Sequence, residues 1–573
     1  MDKYYTNERN VQIVIALLKA NNIKRIIVSP GATNITFVGS IQNDPFFTIY
    51  SCIDERSAAY MACGMAAETG EPVVINCTGA TSSRNWMPGL TEAYYRKLPI
   101  LAITSSQESY KIGQLVAQVT DRSTPPCDTV VRSVEIGLID KPADEQDAIV
   151  KANSVMNHLT RNGGGPVHIN LITGYSSDYS VREIAPVRFI KRYTNIGKFP
   201  EIPKGRIAIC IGSHTKFTAE QDSIIDHFCE QYNSVVFCDH TSGYNGQYKL
   251  NLGIAIAQKS NLTTLHRMDL LIHLGEISGD YNCLYRLCPK LVWRVNPDGE
   301  IRDLYKKLVA VFDMNEIDFF KGYIDECNKN VDTSYFQECI NEYNEYIQDI
   351  PELPFSNLWI AQQTAPSLPP NSSLHLGILN TLRSWDFFNI PQTVIGFSNT
   401  GGFGIDGVLS TAIGASLCNP NKLYFCILGD LAFFYDMNIV GNRHVSNNIR
   451  IMIVNNGRGQ EFRNHSHAGN VFGADADKFI AAAGHNGNMS YSLVKGLAES
   501  LGYKYISAAS KSEYLDNMKT FVDSRIGDQP VIFEVYTDTE DESAALDIIT
   551  SYKQNIKSTL KSSAKNIIKS FIK

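Results

Sequence analysis

The sequence lacks the features that mark several large classes of protein. No apolar run approaches the ~18 residues that a membrane-spanning helix needs, and the first residues show no signal-peptide pattern. The net charge of −7 excludes a basic footprint over the whole chain, so nucleic-acid binding is not expected. We therefore expect a cytoplasmic protein.

The cysteines also form none of the usual motifs. The 13 cysteines are scattered, and no two of them make a Cys-x-x-Cys pair. Four of them, Cys52, Cys77, Cys210 and Cys426, lie in apolar strand-like runs. These are typical of reduced core residues, so neither a zinc site nor a disulfide framework is expected.

What the chain does contain is an alternation of helix-like and strand-like segments. At 573 residues it is too long for one core, and its 44% hydrophobic and 19% charged content is ordinary for a globular protein. Helical patterns at Val11–Leu18, Ser57–Ala67 and Pro88–Tyr95 alternate with apolar runs, which predicts α/β domains with doubly wound parallel sheets. The strand candidates are Arg25–Val28, Phe47–Tyr50, Pro72–Cys77, Ile100–Thr104, Val167–Leu171, Arg206–Ile211, Ser234–Phe237, Leu270–Leu274, Leu291–Val295, Ser373–Leu376, Gln392–Phe397, Leu423–Leu428, Ile449–Val454, Tyr503–Ala508 and Val531–Tyr536.

Two stretches of different composition separate three consecutive domains of this kind. The polar stretch Thr173–Lys204 and the proline-rich stretch 351–370 are predicted linkers, which gives domains at 1–180, 200–345 and 370–545. In the middle domain a lone Gly212 follows a strand without a Gly-x-Gly-x-x-Gly motif. Such a glycine fits a nucleotide site or a purely structural spacer domain.

The last segment, 546–573, is a predicted basic amphipathic helix. Lysines recur every four residues from Lys553 to Lys573 with no acidic residue among them. This pattern fits weak contact with an anionic membrane surface or an acidic partner, or a helix docked on its own protein.

The most informative motif joins two strand ends. Gly429-Asp430-Leu431 follows the run Leu423–Leu428, and Asn455-Asn456 ends the run Ile449–Val454, 26 residues after Asp430. Ligands of open α/β sheets bind at the carboxyl ends of strands. Asp and Asn oxygens suit Mg²⁺ held against phosphate, although the same residues are common in simple turns.

A second motif lies at the corresponding place in the first domain. Asp54-Glu55-Arg56 follows the run Phe47–Tyr50 and begins a helix that is predicted to end at Gly70. An acid here could simply cap the helix. However, Ser29-Pro30-Gly31 and Thr78-Gly79 also follow strands and are expected on the same rim of the sheet.

Together these motifs resemble thiamine diphosphate (ThDP)-dependent 2-oxo-acid enzymes, and within them the synthases of menaquinone synthesis. The resemblance runs from residue 1 to about 540. The motifs that carry it are Ser29-Pro30-Gly31, Asp54-Glu55-Arg56-Ser57-Ala58, Glu92-Ala93-Tyr94-Tyr95, Gly165–Asn170, Ser398-Asn399, Gly404–Ala412, Gly429-Asp430-Leu431, Tyr435-Asp436, Asn455-Asn456 and Gly459-Gln460. It implies pyrimidine, central and diphosphate domains in that order.

The resemblance also implies roles for individual residues. Glu55 would bond the aminopyrimidine, in an apolar cleft that raises its pKa, and Ile405 would be the wedge that bends the cofactor. Asp430, Asn456 and the carbonyl of Arg458 would bind Mg²⁺. The residues that it implies for cofactor binding are Ser29, Pro30, Gly31, Glu55, Thr78, Gly79, Ser398, Asn399, Gly404, Ile405, Gly429, Asp430, Leu431, Ala432, Asn456, Arg458, Gly459 and Gln460.

By the same resemblance, the chain would decarboxylate a 2-oxo acid and add the resulting acyl carbanion to an acceptor. Glu55 and the Mg²⁺ site would come from different subunits, so a homodimer or homotetramer is expected. Two alternatives stay open, a simple 2-oxo-acid decarboxylase of the phosphonopyruvate or sulfopyruvate kind and a non-catalytic regulatory protein with this fold.

Several substrate-gripping basic residues of the menaquinone synthases are replaced in this sequence. Ala32-Thr33 stands for their Ser-Arg, Gln107 and Thr400 each stand for an Arg, and Asp280-Tyr281 stands loosely for a Lys-Arg pair. Each lost charge-assisted contact is worth roughly 1.5–3 kcal/mol. We therefore expect an acceptor less acidic than isochorismate.

A few candidate substrate residues remain. Arg383 matches an Arg that holds the donor's distal carboxylate, which fits a donor such as 2-oxoglutarate, or it is a surface or helix-capping Arg. Gln118 matches an active-site Gln or is an ordinary loop residue. Glu461 replaces a usually apolar residue beside Phe462. His465 and His467 follow on a predicted lid, where they are either proton carriers or surface residues without a role.

Overall fold

The computed structural model describes residues 4–122, 124–259, 262–279, 285–325, 332–486 and 489–553. The strands are β1 (Arg25–Val28), β2 (Thr48–Ser51), β3 (Val73–Thr78), β4 (Ile100–Ser106), β5 (Arg132–Ile136), β6 (Val167–Ile172), β7 (Lys191–Thr194), β8 (Ile207–Ile211), β9 (Ser234–Cys238), β10 (Lys249–Asn251), β11 (Arg267–Leu274), β12 (Cys288–Val295), β13 (Leu308–Asp313), β14 (Ser373–Leu376), β15 (Ile395–Ser398), β16 (Tyr424–Gly429), β17 (Ile449–Asn455), β18 (Lys504–Ala508) and β19 (Val531–Tyr536).

Helices connect these strands. They are α1 (Arg9–Ala20), α2 (Ile35–Ile41), α3 (Glu55–Thr69), α4 (Ser82–Asn85), α5 (Met87–Arg96), α6 (Pro142–His158), α7 (Ala219–Tyr232), α8 (Gly253–Ala257), α9 (Glu316–Tyr323), α10 (Ser334–Gln348), α11 (Asn357–Thr364), α12 (Asn380–Asp386), α13 (Val408–Cys418), α14 (Asp430–Asp436), α15 (Ala476–Phe479), α16 (Leu493–Ser500), α17 (Lys511–Phe521) and α18 (539–553). Short 3₁₀ helices lie at Ser109–Lys111, Arg161–Gly163, Thr264–His266, Ala365–Ser367, Met437–Gly441, Gln460–Arg463 and Ala468–Asp475.

The chain divides into two compact units, and the first comprises Met1–Ile196 and Asp298–Asp313. It holds a six-stranded parallel sheet in the order β2-β1-β3-β4-β6-β5 and a parallel pair formed by β7 and β13. Every residue of β4 is buried, as expected where helices cover both faces of a parallel sheet. The strand order reverses between β1 and β3, which is where such sheets bind ligands.

The second unit comprises Gly197–Pro297 and Met314–Lys573. Five of its strands run parallel in the order β10-β9-β8-β11-β12, and six more form a parallel sheet in the order β15-β14-β16-β17-β19-β18. The second of these sheets repeats the topology of the sheet in the first unit. Its strand order reverses between β14 and β16.

The α/β fold class with parallel sheets is confirmed, and α3 ends as predicted at Gly70, which adopts a left-handed φ of 68°. Two predicted linkers are wrong in part. β7 lies within Thr173–Lys204, where Tyr193 stacks on Phe312 at 5.1 Å between ring centroids, so an apolar contact is hidden among charged residues. In the proline-rich stretch, the prolines flank α11 rather than interrupt it, and Ser356 caps that helix by accepting a hydrogen bond from the Trp359 N–H.

Three of the four cysteines expected in the core, Cys77, Cys210 and Cys426, are buried. Cys52 is only partly buried because it follows β2 at the edge of its sheet, so that expectation is wrong for Cys52. The three domain boundaries remain predictions. Of the predicted basic helix 546–573, the part from residue 554 onward lies outside the described residues. Within the described ranges, no helix is both long and apolar enough to cross a membrane.

Candidate cofactor site

The two polar motifs of the second unit lie at the ends of adjacent strands. β16 ends at Gly429, and Asp430 begins α14 directly after it. β17 pairs in parallel with β16, with Gly429 opposite Val454, so Asn455 and Asn456 follow at the same edge of the sheet. The predicted meeting of the two motifs is therefore present.

A cavity of about 80 Å³ opens at this edge. The segment Gly377–Thr381 after β14 lines it together with Asp430, Asn456 and Ile405. Because β14 and β16 flank the reversal in strand order, the cavity lies at the place where open α/β sheets bind their ligands.

The buried oxygens in this cavity have the character of a cation site. Asp430 is 4% exposed, and burial raises its pKa to about 7, although backbone N–H groups, including that of Asn456, donate to its carboxylate and act in the opposite direction. The Oδ1 atom of Asn456 is buried and accepts no hydrogen bond from any described residue. A desolvated carboxylate beside an unpartnered amide oxygen suits a hard cation. These residues therefore fit Mg²⁺ and a diphosphate.

Hydrogen bonds of Arg458, Gly459 and Gln460 fix the segment after β17 that lines the cavity. The Arg458 guanidinium donates to Asp477 Oδ2 at 2.7 Å, so its charge is directed at a protein carboxylate. The Gly459 N–H donates to the Ala481 carbonyl at 2.6 Å, and Gln460 Nε2 donates to the Thr539 carbonyl at 3.2 Å. Leu431 and Ala432 of α14 also line the cavity.

A buried carboxylate that the sequence analysis missed lies next to the cofactor anchor, which is the pair Asp430 and Asn456. Glu534 in β19 is fully buried, and Asn455 Nδ2 donates to its Oε1 at 2.7 Å while the Tyr505 hydroxyl donates to its Oε2 at 2.8 Å. Burial raises the pKa of Glu534. Asn455 Oδ1 in turn accepts the Gly457 N–H at 3.1 Å, so Glu534 fixes the turn that carries Asn456. An acid within the apolar run Val531–Tyr536 was the available signal.

The segment after β15 supplies the remaining wall. Ile405 packs partly on the core around α13 and faces the cavity. Gly407 directly precedes α13 with a φ of 142°, a conformation that favours glycine, and Gly404 precedes Ile405. Ser398 Oγ donates to the Leu376 carbonyl at 2.8 Å. Asn399 Nδ2 donates to Thr411 Oγ1 at 3.2 Å, and Thr400 is buried.

In the first unit, Glu55 begins α3 but does not cap it. Asp54 is the cap, since its carboxylate accepts the Ser57 N–H at 2.8 Å. Glu55 is partly buried, and its Oε2 accepts a hydrogen bond from Asn85 Nδ2 at 3.0 Å. The carboxylate of Glu55 is therefore not used by the helix terminus.

The loops that contain Ser29-Pro30-Gly31 and Thr78-Gly79 meet at the strand-order reversal of the first unit. A Cβ atom on Gly31 would lie 1.9 Å from Thr78 Cγ2, so only glycine allows this approach. Ser29 is buried and Pro30 lies on the rim. This explains physically why a glycine ends the first motif.

The substrate candidates of the first unit are dispersed. Thr33 is buried and its Oγ1 donates to the Ser105 carbonyl at 2.5 Å, whereas Ala32 is exposed. Gln107 accepts a hydrogen bond from Lys111 Nζ at 3.2 Å. Gln118 is exposed in a loop, with a left-handed φ of 63°.

Arg383 has a protein carboxylate as its partner. Arg383 Nη1 and Nη2 donate to Glu461 Oε1 and Oε2 at 3.0 and 2.7 Å, and the two side chains are only 14% and 18% exposed. Burial alone would raise the pKa of Glu461, but Arg383 outweighs it and holds that pKa below its usual value. Arg383 lies in the last turn of α12, as one alternative expected, but its guanidinium is paired with Glu461 and it is not a surface residue.

The two histidines of the predicted lid have different surroundings. His465 is exposed, and its Nδ1 lies 2.6 Å from Asp547 Oδ2, a hydrogen bond that raises its pKa. His467 Nδ1 accepts the Gly469 N–H at 2.9 Å, and its ring meets that of Phe462 edge-on. No group of three or more His, Cys, Asp or Glu side chains in the described ranges could hold a metal ion.

Comparison with known proteins identifies the family of this chain. Residues 9–124 match the family described as thiamine pyrophosphate enzyme, N-terminal TPP binding domain. A 2-succinyl-5-enolpyruvyl-6-hydroxy-3-cyclohexene-1-carboxylate synthase of Phocaeicola vulgatus is 30% identical over 560 residues, which cover 95% of this chain and 98% of that protein. The chain belongs to this thiamine diphosphate enzyme family.

Other relatives bear the same name. The synthase of Bacteroides fragilis is 29% identical over 559 residues, covering 95% of this chain and 98% of the relative. That of Flavobacterium psychrophilum is 25% identical over 573 residues, covering 92% and 96%. The predictions of a ThDP-dependent enzyme and of a resemblance to the menaquinone synthases are confirmed.

Proposed function

We propose that this ThDP enzyme is a Mg²⁺-dependent carboligase that decarboxylates a 2-oxo acid and adds the resulting acyl group to an acceptor. The observation that carries the proposal is the buried Asp430 carboxylate beside the unpartnered Asn456 Oδ1, in a cavity that Ile405 also lines. Such a pair of oxygens is costly to bury without a cation.

Each residue has a distinct task in this proposal. Asp430 Oδ, Asn456 Oδ1 and the Arg458 carbonyl would hold Mg²⁺ and so bind the diphosphate, and Ile405 would support the cofactor from the wall of the cavity. Glu55 holds a proton between its carboxylate and the aminopyrimidine ring. Bound ThDP supplies a site that accepts the negative charge released as CO₂ leaves the donor. Glu534 keeps the Asn455-Asn456 turn in position through its bond with Asn455.

We include a homodimer in the proposal, in which Glu55 of the partner subunit completes the cofactor site. Large apolar side chains around Glu55 support it, since Ile53 is 85% exposed and Tyr60 and Met61 on α3 are also exposed. Exposed apolar patches of this kind mark interfaces between proteins. A symmetric tetramer built from two such dimers fits the same scheme.

The acceptor in this proposal is less acidic than isochorismate. Thr33 stands where the menaquinone synthases have an Arg, and its hydroxyl is already bonded to the Ser105 carbonyl. Thr400, at a second such position, is buried. Neither side chain offers the charged fork with which Arg binds a carboxylate.

The test is CO₂ release by the purified chain with ThDP and Mg²⁺ across a panel of 2-oxo acids, each with and without aldehydes and keto-sugars. Release that requires an acceptor, with a new carbon–carbon bond in the product, would support a carboligase. Release without any acceptor would identify a decarboxylase instead. If ThDP bound with Mg²⁺ and no acid in a broad panel were decarboxylated, the catalytic proposal would be wrong.

A further inference from the structure

A second, larger cavity adjoins the cofactor anchor within the second unit. It has a volume of about 730 Å³, and its walls come from α12, from the segment 461–467, from α18, and from residues around Lys259 and Arg286. Leu379, Glu461 and Phe462 line both this cavity and the smaller cofactor cavity. A substrate tail that extends away from the cofactor therefore meets these three side chains first.

On this shared wall, the two terminal nitrogens of the Arg383 guanidinium already have hydrogen-bond acceptors within the protein. Both terminal nitrogens of Arg383 bind the two Glu461 oxygens, and Nη2 also donates to Asn380 Oδ1 at 3.1 Å. Two parallel N–H···O bonds are the geometry with which Arg recognises any carboxylate. The Glu461 carboxylate thus takes the place that a ligand carboxylate would otherwise occupy.

Other charged groups of the cavity are engaged as well. Asp547 pairs with Lys259 at 3.1 Å and with His465. Arg286 donates to the Ile256 carbonyl at 2.8 Å and to the Gln258 carbonyl. Between them lie apolar side chains, including Leu379, Phe387, Phe462 and Leu546. The wall nearest the cofactor therefore offers an apolar surface beside a neutral ion pair.

We propose that Glu461 determines donor specificity. Because its carboxylate occupies both terminal nitrogens of Arg383, the site selects a 2-oxo acid with an uncharged tail over one with a second carboxylate. This inference rests on the proposed function. A second carboxylate would lie close to the Glu461 oxygens, where like charges repel in a partly desolvated site. An uncharged tail can pack on Leu379 and Phe462 instead.

The test compares two donors of the same shape, 2-oxoglutarate and 5-methyl-2-oxohexanoate, in which an isopropyl group replaces the distal carboxylate. We expect the natural chain to favour the uncharged donor in kcat/KM by roughly tenfold or more. In Glu461→Gln, Arg383 becomes available, and the ratio should shift toward 2-oxoglutarate by a similar factor. The ratio is measured within one sample, so partial unfolding of a variant does not alter it.

Two controls define the effect. Glu338→Gln makes the same change in an exposed Arg–Glu pair with Arg206, away from the cavity, and should leave the ratio unchanged. The double variant Arg383→Gln/Glu461→Gln should not show the shift of the kcat/KM ratio toward 2-oxoglutarate, because the Arg383 guanidinium is then absent.

A binding experiment separates this inference from the proposed function. Calorimetry of the ThDP- and Mg²⁺-loaded protein with glutarate and with 5-methylhexanoate reports the tail preference without turnover. If no donor reacted but 5-methylhexanoate bound more tightly than glutarate, the proposed carboligase function would be wrong and the inference about Glu461 would stand. A natural chain that prefers 2-oxoglutarate or glutarate, or a Glu461→Gln variant with an unchanged ratio, would overturn the inference.

Discussion

The buried Glu534 gives the sharpest prediction about how the anchor is built. Replacing it with leucine leaves the buried Asn455 amide without its acceptor, and leaves the partly buried Tyr505 hydroxyl with only its longer contact to the Tyr536 hydroxyl at 3.3 Å. A buried donor without a partner costs about 1–3 kcal/mol, so Glu534→Leu should lower the free energy of unfolding by at least about 1–3 kcal/mol. Glu534→Gln keeps one acceptor oxygen at the same position and should lose about half as much.

The Glu534→Leu substitution should also weaken the binding of the cofactor. Without Glu534, the Asn455-Asn456 turn is no longer fixed, and a residue of this supporting kind typically changes metal affinity by about 10–100-fold. Denaturant unfolding without ThDP or Mg²⁺ measures the stability change, and a ThDP titration with Mg²⁺ measures the binding. Glu352→Gln, at an exposed pair with Lys511, is the control for a surface Glu. A Glu534→Leu variant with natural unfolding midpoint and natural ThDP affinity would refute the reasoning.

Three further predictions concern the proposed site. Glu55→Gln should reduce CO₂ release by about 100-fold or more, since the proton on the aminopyrimidine is no longer held by a carboxylate, while calorimetry shows ThDP still bound. Asp430→Asn should weaken Mg²⁺-dependent ThDP binding by about 10–100-fold in the same titration, and the exposed Asp528→Asn should not. Because Arg383 holds the pKa of Glu461 below its ordinary 4.5, the stability from this carboxylate is present above about pH 4.5 and is lost as the pH falls through the lower folded pKa. Acid unfolding of Glu461→Gln should therefore be less steep over that range, and an unchanged acid transition would contradict this account.

Two strands inside the sheet of the second unit were predicted with the correct bounds. β14 and β19 match the predictions Ser373–Leu376 and Val531–Tyr536, since a strand covered by helices on both faces is built largely from a run of apolar residues. The apolar strand β13 was nevertheless missed. β5 and β7 were missed, because both carry charged residues and β5 forms an edge of its sheet. An edge strand in contact with water has no such run.

The same distinction holds for the site. Asp430 and Asn456 could be placed from the sequence because each directly follows a strand, and adjacent parallel strands end at one edge of the sheet. The partner of Arg383 could not be found this way, since Glu461 lies 78 residues later and meets it only where α12 packs near the segment after β17. Both residues are unusual in the sequence, but nothing in the sequence shows that their side chains pair.

The pairing of Arg383 with Glu461 changes what the surviving Arg indicates. Taken alone, an Arg beside a cofactor cavity suggests an acidic donor, which was one of the two interpretations that the sequence left open. A buried ion pair, however, adds little net stability compared with apolar residues of similar volume, so stability is a weak reason for its presence. An unpaired guanidinium on this wall would attract any small carboxylate that entered the cavity. Glu461 removes that attraction while the two hydrogen bonds hold Phe462 and its neighbours in place, and so the pair is better explained by selection among donors than by folding.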